Sequence, residues 1–208
     1  MMRFCMGLVL VLGCSSVPEA PNEATVRDRL ATPTTLWVGA GTSSGTITAS
    51  RNTSTGWQDG QTALAIADGQ LDASVDSTGA LAITALDIEL QPIELPADIL
   101  GQAAELRDVK LGLASAPGIA AAWSDDDDAS ANATVDLALD WTLAVNGNAS
   151  PLGTEQLQGV TLAITLAGGA GEPVTATIDA SGTGELWSWA DLVKLEGLSL
   201  SLAAVSNP

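Results

Sequence analysis

Gly41-Thr42-Ser43-Ser44-Gly45 has the G-x-S-x-G spacing at which hydrolases set a nucleophilic serine on a strand-to-helix turn. That chemistry needs a base beside the serine, and the 208 residues include no histidine. Neither Lys110 nor Lys194 stands three residues after a serine, so a Ser-x-x-Lys pair is missing too. A Gly/Ser loop leading into a strand around 46–51 accounts for the motif without catalysis. The densest run of carboxylates is Asp125-Asp126-Asp127-Asp128. These four are the candidate ligands for calcium, the only cofactor the sequence brings into view, because Ca²⁺ takes six to eight oxygens. Four consecutive side chains do not all converge on one ion, and no D-x-D-x-D-G spacing with a closing Glu follows, so a solvated loop is the competing reading. Acids are numerous enough for many glycosidase-like pairs, but no spacing marks one pair over another. Six tryptophans could stack on sugars or seat an apolar ligand; Trp187 and Trp189 fall on one face of an expected strand and could pair.

Charge removes further classes. With 25 Asp and Glu against 7 Lys and Arg, the formal charge is −18, which opposes nucleic acid and anionic lipid surfaces. At 46% apolar and 15% charged, the chain is nevertheless rich enough in core residues to fold as one domain.

The two cysteines, Cys5 and Cys14, lie near the N-terminus. Met1-Met2-Arg3 precedes the apolar run Phe4 to Leu12, far shorter than the roughly 20 residues that span a bilayer, so it reads as a signal segment. Val11-Leu12-Gly13-Cys14 resembles the lipobox of bacterial lipoproteins. The resemblance covers about 14 residues and implies that residues 1–13 are removed and Cys14 is acylated on its sulfur and its amine. It also implies attachment to a membrane through lipid; Ser15 after the cysteine implies the outer membrane, with the domain facing the periplasm or the cell surface. Cys5 would leave with the signal segment and Cys14 would be consumed, so no disulfide and no cysteine nucleophile would remain. Residues 14–35, with three prolines and mostly small or polar side chains, read as a flexible tether.

Residues 36–208 read as one β-domain. Val135, Leu137, Leu139, Trp141, Leu143 and Val145 alternate with Asp136, Ala138, Asp140, Thr142, Ala144 and Asn146, a strand of roughly 35 Å with one apolar face. The same period recurs at Val160 to Leu166 and Leu198 to Leu202, and in shorter form at Leu71 to Val75, Val109 to Leu113 and Val174 to Ile178. Asp76-Ser77-Thr78-Gly79 and Asp179-Ala180-Ser181-Gly182 both have type I turn chemistry, so their aspartates read as turn residues. Pro96 to Arg107 suggests one short helix, weakened by Gly101. The expected fold is all-β, an antiparallel sandwich or a curved, open-barrel-like sheet with at most one short helix. The expected function is a non-catalytic, lipid-anchored envelope domain for binding, adhesion or structure. The alternative is a carrier of lipid or another apolar ligand in a Leu-rich groove, with a hydrolase third.

Overall fold

The period-two runs form strands where expected, and they pair into one antiparallel sheet that curves round rather than two sheets stacked face to face. The computed structural model describes residues 24–114, 118–169, 171–189 and 192–207. In chain order the elements are α1 (Val26–Arg29), β1 (Thr34–Val38), β2 (Ser44–Thr53), β3 (Gly56–Val75), β4 (Leu81–Leu90), β5 (Ile93–Leu95), α2 (Ala97–Leu100), β6 (Ala104–Leu113), β7 (Gly118–Ile119), β8 (Ala121–Trp123), β9 (Ala129–Val145), β10 (Asn148–Ala167), β11 (Thr175–Trp189) and β12 (Val193–Ser206).

The sheet closes on itself. β2 pairs with β3, β3 with β4, β4 with β6 and β6 with β9; β10, β11 and β12 follow in turn, and β12 returns to β2. Short strands extend this frame: β1 continues the line of β2 between β3 and β12, β5 lies beside β6 at its start, and β8 lies beside the start of β9. Eight strand positions, filled by β2, β3, β4, β6, β9, β10, β11 and β12, make a bulged ring. At that number the interior is just wide enough to be filled by side chains.

Those side chains are the alternating ones. Val135, Leu137, Leu139 and Trp141 of β9, Val160, Leu162, Ile164 and Leu166 of β10, and Leu198, Leu200 and Leu202 of β12 are all buried, none more than 4% exposed. Their neighbours Asp140, Thr161, Thr165, Ser199 and Ser201 are exposed. Each buried leucine contributes on the order of 1.5–3 kcal/mol, so the apolar face fixes which way every strand turns.

Asp76 to Gly79 joins β3 to β4 as its chemistry predicts. The Gly79 amide donates to the Asp76 carbonyl at 3.0 Å, and Gly79 takes φ +86, open to a residue without Cβ. Asp76 Oδ1 accepts from Thr78 Oγ1 at 2.6 Å and from the amides of Thr78 and Ala80 at 2.7 and 3.0 Å. The Thr78 hydroxyl above all, then those amides, hold the Asp76 carboxyl below its usual range. A lowered native pKa stabilises the fold above the unfolded value of about 3.9 and stops doing so as pH falls through the native one. Asp76→Asn is therefore expected to lower Tm at neutral pH, with the gap from wild type closing as pH drops through the carboxylate range. A constant gap down to strongly acidic pH would contradict this.

The second expected turn is not a turn. Asp179 to Gly182 runs through the middle of β11, paired with β10 on one side and β12 on the other. Ile178 and Ala180 continue the buried phase, and a Cβ on Gly182 would come within 3.0 Å of both Leu157 and Val160. The glycine serves close packing inside the ring.

The helical elements also differ from expectation. Only Ala97–Leu100 of the 96–107 segment is helical; Gly101 stops it at φ +74, and the chain re-enters the sheet at Ala104. A second short helix, α1, lies inside the stretch expected as tether, so the fold has two short helices and begins no later than Ala24 rather than at 36. The reason is the i, i+4 pair Val26 and Leu30, both fully buried and anchored where the Val75 amide donates to the Leu30 carbonyl at 2.6 Å. Two apolar residues in a polar, proline-bearing stretch are too short a pattern to stand out.

Candidate functional site

The two ends of the ring are unlike. At one end α1 closes it: the Arg29 guanidinium donates to the carbonyls of Gly169 and Glu172, the Trp123 indole donates to the Gly79 carbonyl at 2.9 Å, and Val26 and Leu30 fill the space between. At the other end, where Asn146-Gly147 turns β9 into β10, the packing stops short. There Leu143, Val145, Trp187, Val193 and Leu195 surround a cavity of about 260 Å³. Gln102 is the one polar side chain on its wall among the described residues. The walls are built by the same inward phases that fill the core; Leu143 and Val145 are the last two inward positions of β9.

The rest of this mouth is covered by α2. Its Ile99 and the preceding Pro96 rest on Gly60 of β3, where a Cβ would come within 2.8 Å of Ile99 Cγ1. Beside it stands Arg51. Ile47 and Ala49 of β2 are buried, and Arg51 is the next residue in that phase, half-buried and directed to the end of α2. Its Nη1 lies 3.5 Å from the Ile99 carbonyl and 2.5 Å from where a Cβ on Gly101 would stand. Its register partner on β12 is Val193, a wall residue of the cavity. Other cations at this end are paired: Arg107 with Glu105 at 2.6 Å, and Lys194 with Glu196 at 2.6 Å while lying over the Trp57 ring at 4.6 Å. Among the described residues Arg51 has no carboxylate partner.

Of the residues singled out from the sequence, Trp187 lies at this cavity and most of the others fall elsewhere. Ser43, the serine of the G-x-S-x-G motif, sits in the break between β1 and β2 and is buried; its Oγ accepts from the Ala203 amide at 3.0 Å and donates to the Ala203 carbonyl at 3.5 Å. The hydroxyl thus replaces a missing ladder contact. Asp125 accepts from the amides of Asp127 and Asp128, both at 2.8 Å, so its carboxylate is spent on shaping its own loop. Asp127 Oδ1 accepts from the Val26 amide at 3.0 Å, the Asp126 carbonyl accepts from the Arg27 amide at 3.0 Å, and the Asp126 carboxylate faces Arg27 at 3.6 Å. The acidic run therefore caps α1. Among the described residues no three or more acids gather in a way that could hold a metal ion. Trp141 is core, its indole N–H without a hydrogen-bond partner among the described residues, which costs about 1–3 kcal/mol. Trp187 reaches the cavity; the side chain of Trp189, its expected partner, lies outside the described residues, as do Cys14 and the signal segment before it.

The sequence reading missed Arg51 and the mouth. A signal was present: carrying the alternation Ile47, Ala49 one step further puts an arginine on an apolar face. Asn146-Gly147, a strong hairpin dipeptide, likewise marks the end at which β9 stops.

No protein-family model matches the chain. No curated protein matches it either.

Proposed function

We propose that the chain is a lipid-anchored protein of the cell envelope, held to the outer membrane by acyl groups on Cys14, whose β-ring is a non-catalytic binding domain that seats an apolar group in its open end. The observation that carries the binding part is the contrast between the ends: one plugged by Val26 and Leu30, the other left with an apolar cavity of about 260 Å³. A cavity of roughly 150 Å³ lined by aliphatic side chains already binds benzene, so this one suits an apolar group somewhat larger. The ligand enters at the end of the ring and not along a groove, since the Val135 to Leu143 face is buried along its length.

Attachment by lipid fits the surface. Apolar residues face inward and Asp, Thr and Ser outward, the reverse of strands that cross a bilayer. A domain of this charge is repelled by anionic headgroups, so a covalent anchor has to supply the affinity, and more than one acyl chain suffices. Metabolic labelling with a fatty-acid probe is expected to mark the wild type and not Cys14→Ala, and the variant is expected to leave the membrane fraction. Equal labelling of both would remove the anchor. The binding part is checked separately, by native mass spectrometry of the purified domain with octanol: a one-to-one adduct is expected, lost in Val145→Trp, which fills the cavity. The absence of an adduct in wild type would remove the mouth as a site.

A further inference from the structure

We infer that the mouth takes a medium-length apolar chain with an acidic head, the chain inside the ring and the carboxylate at Arg51 on its rim. This rests on the mouth being a binding site and names its ligand class. Scaling from the roughly 150 Å³ that holds the six carbons of benzene, about 260 Å³ has room for roughly eight to ten carbons. The wall contributes no charge of its own, so the ligand's buried part is uncharged.

The head is fixed by what stands at the end of α2. Arg51 and Gln102 flank Gly101, one behind it against Ile99 and the other in the cavity wall. Both offer N–H donors, and an ionised carboxylate is an acceptor only, able to take a planar guanidinium in two parallel bonds. Arg51 does not line the cavity itself, but its register partner Val193 does, so a head bound at the guanidinium sits at the rim beside α2, next to the wall formed by Val193 and Leu195. Arg51 is half-buried with a 3.5 Å contact to the Ile99 carbonyl and, like Arg29 and Lys110, has no acid partner among the described residues, so its guanidinium keeps N–H donors for a ligand at this end of the ring. The overall charge of −18 opposes an approaching anion, but that field is screened beyond about 10 Å at 0.1 M salt, whereas the Arg51 contact is short-range.

Three probes of equal chain length separate the possibilities: octanoate, octanol and octyltrimethylammonium, titrated calorimetrically into the domain at pH 7 and 0.1 M salt, below their micelle thresholds. Octanoate is expected to bind about tenfold more tightly than octanol, the size of one charge-assisted hydrogen bond, and the ammonium probe no more tightly than octanol. In Arg51→Gln the octanoate advantage should vanish while octanol is unchanged within about twofold; Arg51→Lys should keep part of it, since an ammonium retains the charge and loses the fork. Octanoate binding no better than octanol in wild type overturns the assignment of the head without needing any variant, as does an advantage that survives Arg51→Gln in a folded protein. Failure of all three probes to bind overturns the mouth itself.

Discussion

A chain that begins at Pro33 is expected to melt about 10–20 °C below one that begins at Ala24. The residues lost, Ala24 to Thr32, include Val26 and Leu30, both fully buried at the closed end of the ring. Burial of two such side chains contributes about 3–6 kcal/mol, and for a domain of this length each kcal/mol moves Tm by roughly 2–4 °C. Their loss also leaves groups without partners. The Asp127 carboxylate loses the Val26 amide, the carbonyls of Gly169 and Glu172 lose the Arg29 guanidinium, and the Val75 amide loses the Leu30 carbonyl. Leu30→Ala in the longer chain should cost about 2–4 kcal/mol by itself, because the ring around it is closed on all sides and cannot collapse into the space. Thermal unfolding followed by circular dichroism gives all three values. Equal Tm for the two starting points would mean that α1 rests on the ring without plugging it, and that the tether does extend to the residue at which the sequence pattern placed its end.

What could be read from the sequence follows from how far apart the interacting residues are. Period-two alternation is local, so Val135 to Val145, Val160 to Leu166 and Leu198 to Leu202 declared their strands and buried faces, and Trp141 declared itself as core. Asp76 to Gly79 was legible because its turn is held by bonds among those same few residues. Ring closure was not legible, since the pairing of β2 with β12 joins segments from opposite ends of the domain, with no trace in either segment alone. That closure decides between a face open along its length and a cavity at one end. Asp125 to Asp128 looked like a metal site or a solvated loop because its partner is the start of α1, with Val26 lying 101 residues before Asp127. Arg51 was hidden for the same reason: half-burial at the end of a strand means little until α2 is seen lying over it.

Gly182→Val is expected to lower Tm by about 5–10 °C, where a turn glycine of ordinary φ would accept the change with little effect. Gly182 is not among the positive-φ residues, so its backbone permits any side chain and the cost is one of space alone. A Cβ there would stand 3.0 Å from Leu157 Cδ2 and 3.0 Å from Val160 Cγ2, closer than carbon atoms pack without displacement. Leu157 and Val160 are at most 1% exposed and flank a register shift in β10, so neither has free volume to move into. Overpacking of this kind costs about 1–3 kcal/mol, and valine adds two methyl groups beyond the Cβ already in contact. Gly182→Ala separates the terms: it gains back some backbone entropy, about 0.5–1 kcal/mol, against a single close contact, and should lie near wild type. Asp179→Ala completes the comparison, because an aspartate opening a turn would be missed, whereas one on the outer face of β11 between β10 and β12 should be replaced at a cost within about 0.5 kcal/mol. A stable Gly182→Val together with a destabilised Asp179→Ala would restore the turn and break β11 in two. The opposite pattern fixes the strand as continuous through Gly182, which is what lets β11 reach from the plugged end of the ring to Trp187 in the wall of the mouth.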